Sequence, residues 1–146
     1  MPLATPLEFA QGRGASVSVL ETHTRQRCMQ AWRESFARAV KTQTGKWVHL
    51  GYEWHAFSYN FTRSKSGVRG LALYLAELDP DVYAIPEDEG DDAFICRAPA
   101  LLDFSDCETD VVVFPPDLRW TIAFTHEQPD LGPYFSRAEW SGEDIG

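Results

Sequence analysis

Long apolar runs are missing from this chain of 146 residues. No stretch approaches the roughly 18 residues that a helical membrane span requires, so an integral membrane protein is not expected. Cysteine is scarce as well. Cys28, Cys96 and Cys107 form an odd set without a C-x-x-C pair, which argues against a disulfide framework and fits reduced cytoplasmic thiols. The opening MPLATPLEFAQGRG lacks the basic and apolar blocks of a signal peptide, which also points to the cytoplasm. Several catalytic and metal-binding patterns are absent too. There is no G-x-S-x-G, no phosphate-cradling glycine loop, no H-E-x-x-H and no D-x-[DN]-x-[DN]-G loop. His49 and His55 lack the i, i+4 spacing of a zinc pair, and Cys96 and Cys107 have carboxylates rather than bases nearby. No metal and no cofactor is therefore expected.

Cations are the other shortage, and they are short in one half only. Residues 1–76 hold ten Lys/Arg against four Asp/Glu, a net of +6. Residues 77–146 hold three against eighteen, a net of −15, so the chain carries −9 overall. The densest acidic stretch comprises Glu77, Asp79, Asp81, Glu87, Asp88, Glu89, Asp91 and Asp92. Such a surface repels phosphates and anionic lipid, which excludes nucleic acid and membrane surfaces as partners. It attracts a basic protein, over a Debye length of about 8 Å at physiological salt.

The composition is 44% hydrophobic and 24% charged, that of a globular chain, and the length suits a single domain over 1–146. Residues 1–16 show no periodicity and read as an irregular arm. Met29, Trp32, Phe36 and Val40 recur at helical spacing, which predicts a helix from about Thr22 with Gly45 as its stop. Arg25, Arg27, Arg33, Arg38 and Lys41 fall mostly off that stripe and form its basic outer face. The aromatic run 46–61 reads as a buried strand or a packed loop. Val68, Leu71, Ala72, Leu75 and Leu78 predict a second helix, ended by Pro80.

Beyond Pro80 the pattern changes to short strands: Val82–Ile85, Ala93–Arg97, Thr109–Phe114, Trp120–Thr125 and an edge strand Pro133–Arg137. The expected fold is α+β. Two N-terminal helices pack on one face of an antiparallel sheet of four or five strands.

Two functional expectations follow. The first is a non-catalytic acidic protein that binds a basic partner. Asp79, Asp81, Glu87, Asp88, Glu89, Asp91 and Asp92 steer that partner, and Tyr83, Trp120 and Tyr134 serve as exposed aromatic anchors. The second is a small hydrolase-type enzyme using His126 and Glu127 as an acid–base pair, since histidine titrates near neutrality and a carboxylate can orient it. Adjacent strand residues point to opposite faces, which counts against that pairing.

The string Trp120-Thr121-x3-Thr125-His126-Glu127-x4-Gly132-Pro133-Tyr134-Phe135 resembles the C-terminal signature of a small, uncharacterised bacterial family. Trp54-His-Ala-Phe-Ser-Tyr59 resembles its upstream element. The resemblance implies a shared fold and brings no site chemistry. More loosely, a small acidic α+β domain without a catalytic set is similar to immunity proteins of bacterial toxin systems. That similarity implies a cognate basic toxin, often nuclease-like, whose active site is occluded.

Overall fold

The computed structural model describes residues 4–97, 101–107, 110–125 and 132–143. In chain order the elements are α1 (Pro6–Gly12), β1 (Ser16–Val19), α2 (Thr22–Phe36), α3 (Arg38–Thr44) and α4 (His55–Ser58). Then come β2 (Lys65–Ser66), α5 (Gly67–Leu75), β3 (Asp81–Pro86), β4 (Phe94–Arg97), β5 (Val111–Phe114), β6 (Trp120–Phe124), β7 (Tyr134–Arg137) and α6 (Ala138–Glu143). The fold is α+β. Six helices and seven strands are described, rather than two helices and four or five strands, and the strands form one sheet in the order β1-β4-β3-β5-β6-β7-β2, with every neighbouring pair antiparallel.

Helices cover both faces of this sheet rather than the single face expected. Alternate strand residues therefore enter two separate cores. Under α2, α3 and α4 lie Ile85, Val112, Phe114, Ala123 and Tyr134. Under α1, α5 and the 101–107 segment lie Val82, Ala84, Phe94, Val113, Trp120, Ile122, Phe124 and Phe135. Double burial explains why β5 (VVVF) and β6 (WTIAF) are apolar throughout, a pattern more usual in parallel sheets.

The predicted stripe on α2 and α3 is where the sequence put it. Met29, Trp32, Phe36 and Val40 are all buried. Trp32 Nε1 donates to Thr121 Oγ1 at 2.9 Å, and that hydroxyl donates to the Val113 carbonyl at 2.9 Å. The helix breaks at Ala37 (φ −120°), and α3 ends at Gly45 in the left-handed region (φ 82°), as a helix-stop glycine does.

Three further expectations need correction. Described residues 4–16 are not an irregular arm. Thr5 and Glu8 form a reciprocal capping box that starts α1, with Pro6 in its first turn, and β1 begins at Ser16. The second helix is present, but its apolar stripe is split: Leu71 packs against the core, while Val68 is 88% and Leu75 48% exposed, and the buried residues are Gly70 and Tyr74. A Cβ on Gly70 would lie 2.3 Å from the Lys65 carbonyl oxygen, so this face is turned in by close backbone approach. Finally, β7 is not an edge strand. The two-residue β2 pairs beyond it, and Pro133 sits just before the strand, where its missing N–H is tolerated.

Candidate functional site

β3 divides the acidic stretch into two groups. It is six residues long, roughly 17–20 Å by ordinary strand rise, and acids stand at both of its ends. At its start they are paired within the fold. Glu77 meets Arg137 at 2.6 Å, and Asp81 meets Arg97 through two bonds of 2.7 and 2.8 Å. Asp79 holds Arg119 and also accepts from Trp120 Nε1 at 2.7 Å, while Asp117 binds Arg119 at 2.6 Å. The Arg97 guanidinium keeps the Asp81 carboxyl below the usual carboxylate range.

The aromatic anchors do not stand on an open face. Trp120 is fully buried against Tyr74 and Phe135, and its indole N–H is occupied by Asp79. Tyr134 is 6% exposed and stacks on Trp54 at 6.0 Å. Both lie on strands covered from two sides, which the one-face expectation did not allow for. Tyr83 is half-buried, packed near Phe114 and hydrogen-bonded to the Cys28 thiol.

At the other end of β3 the arrangement differs. Arg25 of α2 donates to the Asp91 carbonyl at 2.6 Å, the Pro86 carbonyl at 2.7 Å and the Asp88 carbonyl at 3.2 Å. One guanidinium thus fixes the whole β3–β4 turn through its backbone. The turn carboxylates are left outward: Asp88, Glu89 and Asp92 are exposed and form no salt bridge among the described residues. Asp91 is half-buried, and burial together with the Asp88 carboxylate raises its pKa against the pull of Arg25.

Glu87 turns inward instead. Its carboxyl accepts the backbone N–H of Glu53 at 2.6 Å and of Trp54 at 3.3 Å, tying the segment before α4 to the end of β3. The Glu53 carboxylate is gripped by Arg33 of α2 through contacts of 2.6, 3.1 and 3.2 Å. Behind them the buried Asp110 accepts from Trp54 Nε1 at 2.8 Å, and its carbonyl accepts the Glu87 N–H at 2.8 Å. Burial pushes the Glu87 carboxyl up to about 8. The nearby Glu53 and Asp110 charges add to this, while the two backbone N–H groups oppose it.

Above this cluster, α2 and the turn enclose a groove of about 520 Å³, lined by Thr22, Arg25, Gln26, Met29, Arg33 and Glu89. An adjoining cavity of about 60 Å³ shares four of those residues and is lined as well by Glu53, Glu87, Ile85, Pro86 and Val112. A perturbed carboxyl lining a cleft marks a candidate functional site.

Sequence reasoning found the turn acids and missed Arg25, Arg33, Glu53, Trp54 and Asp110. The two arginines read from sequence as part of the helix's outer face. One signal was available: Arg25, Met29 and Arg33 repeat at i, i+4, a row whose middle member, Met29, is buried. His126 and Glu127 lie outside the described residues. Among the described residues no group of three or more His, Cys, Asp or Glu is placed to hold a metal ion. No described helix is long and apolar enough to cross a membrane.

These features define an α+β domain whose antiparallel sheet is covered on both faces and carries an acid-rimmed cleft at one end. Residues 13–135 match the family described as "Domain of unknown function (DUF4275)", and the chain belongs to that family. Membership agrees with the expected uncharacterised family. Comparisons with curated proteins and with solved structures return no match.

Proposed function

We propose that the chain is a non-catalytic binding protein for a cationic protein partner, docked at the β3–β4 turn. One observation carries this reading. Asp88, Glu89 and Asp92 are exposed on this turn, with Glu89 lining the α2 groove, whereas the acids at the other end of β3 are consumed by Arg97, Arg119 and Arg137. Uncompensated charge on a turn pinned by Arg25 is preorganised for an incoming cation, and such charge raises association rates most at low salt. In its specific form the protein is an immunity protein of the cytoplasm, and it neutralises a basic, nuclease-like toxin by occluding a cleft that otherwise holds phosphates. The net charge of −9 and the exposed turn acids support that form.

The test begins with capture of a partner from the native host, followed by binding of the two purified proteins. The expected result is a stoichiometric complex with a basic protein. It weakens between about 50 and 500 mM salt, and again when Asp88, Glu89 and Asp92 are changed to their amides. A complex insensitive to both salt and the triple change overturns the proposal.

A further inference from the structure

The cleft under the turn has a feature that charge steering alone does not use. Glu53 is neutralised by Arg33, and Arg25 is held by three backbone carbonyls. Glu87 is the carboxyl of this cleft whose hydrogen bonds go only to backbone N–H groups, and it lines the smaller cavity together with Glu89. Met29, Ile85 and Val112 supply apolar lining beside it. Apolar lining beside a carboxyl matches the side chain of arginine or lysine, whose aliphatic stem buries while its head seeks charge. The cavity volume of about 60 Å³ is several times the minimum for one water, enough for a single cationic head group.

We infer that this cleft receives one arginine or lysine side chain of the cationic partner, and that its entry drives the proton off Glu87. The inference rests on the docking proposal and adds the recognised chemistry and a proton linkage. A neutral carboxylic acid offers a cation only a dipole, whereas a carboxylate offers a full charge. A guest cation therefore stabilises the ionised form, and one proton leaves for solvent as the guest seats.

The groups that face Glu87 set the direction of this linkage. From the segment before α4 comes Glu53, from the residue before β5 comes Asp110, and from the turn comes Glu89. All three are acidic and disfavour a second charge beside them. From α2 come Arg33, paired with Glu53, and Arg25, held by backbone carbonyls. Burial is the largest influence on Glu87, and the Glu53 and Asp110 carboxylates act in the same direction, so its carboxyl is raised. Below the pH at which Glu87 ionises, affinity must rise as protons become scarcer, by up to about tenfold per pH unit, and then level off.

The experiment titrates the full chain with a hexa-arginine peptide by calorimetry between about pH 6 and pH 9. At neutral pH it is repeated in two buffers of different ionisation enthalpy, which counts released protons without any variant. The expected result is close to one proton released, with affinity climbing until about pH 8 and flat above it. Glu87→Gln abolishes both the release and the slope. Glu89→Gln, an exposed change that leaves the core alone, weakens binding and keeps the slope. Peptide binding without proton release, or a slope that survives in Glu87→Gln, overturns the inference and leaves the docking proposal standing. Failure of the peptide to bind at any pH also overturns the inference. The docking proposal is judged separately, by the salt and triple-variant test on the natural partner.

Discussion

The Glu87 carboxyl accepts the backbone N–H of Glu53 at 2.6 Å, while the Glu53 side chain turns the other way into the grip of Arg33. Two glutamates thus lie close together without sharing a cation. One is paired with a guanidinium and the other is bonded to peptide groups. This relationship joins α2, the segment before α4 and the end of β3 beneath the exposed turn acids.

The first expected consequence is a stability that declines with pH. Glu87 has its pKa raised from 4.5 to about 8 in the folded chain, so the folded state holds this proton more tightly than the unfolded state does. The contribution is complete below the unfolded value and is lost as pH rises through the folded one. Urea denaturation of the native protein should show a fall of a few kcal/mol from about pH 5 to about pH 8. Glu87→Gln should flatten that profile and match or exceed the native chain at pH 8. An equally steep profile in Glu87→Gln would assign the slope to other groups.

Arg33→Ala should cost more than an ordinary surface ion pair. The Glu53 side chain is only 11% exposed, so losing its partner strands a largely buried charge. The expected loss is about 2–4 kcal/mol in denaturant unfolding, well above that for an exposed pair such as Arg97 with Asp81. Glu53→Gln in the same chain should restore part of it. A double-mutant cycle with no coupling between the two positions would contradict this assignment.

Gly70→Ala tests the way α5 is seated. An added methyl would sit 2.3 Å from the Lys65 carbonyl oxygen and 3.2 Å from that of Pro133, so the helix must move off the sheet edge. A destabilisation of about 1–3 kcal/mol is expected, despite the better helix propensity of alanine. Stabilisation would mean that α5 packs less closely than described.

The same helix shows where sequence legibility stops. On α2 the apolar stripe reads correctly because Trp32 and Phe36 are large enough to dominate the periodicity. Of the stripe Val68, Leu71, Ala72, Leu75 and Leu78, Val68 and Leu75 on α5 and Leu78 beyond it are exposed and Leu71 packs inward, because the buried line of α5 runs through a glycine and a tyrosine. Hydrophobic periodicity cannot register a contact made by an absent side chain. Strands β3 to β7 were legible from their β-branched and aromatic runs. By contrast β1 and β2 are short edge strands: β1 carries only the four-residue alternation Ser-Val-Ser-Val and β2 only Lys-Ser, too little to stand out. The turn acids were legible as charge. Their separation from Asp79 and Asp81 was not, because residues adjacent in sequence stand a full strand length apart once β3 is extended. Nor was the inward bend of Glu87, which depends on the backbone of residues 34 and 33 positions away.

The claim that the β3–β4 turn and its cleft form the docking face is tested most directly by mapping backbone amide shifts as a cationic partner, or the hexa-arginine peptide, is added. The expected changes concentrate on residues 87–92, on Arg25, Met29 and Arg33 of α2, and on Glu53 and Trp54. Changes centred instead on Asp79, Asp81 and Asp117 at the opposite end of β3, with the turn unmoved, would contradict it.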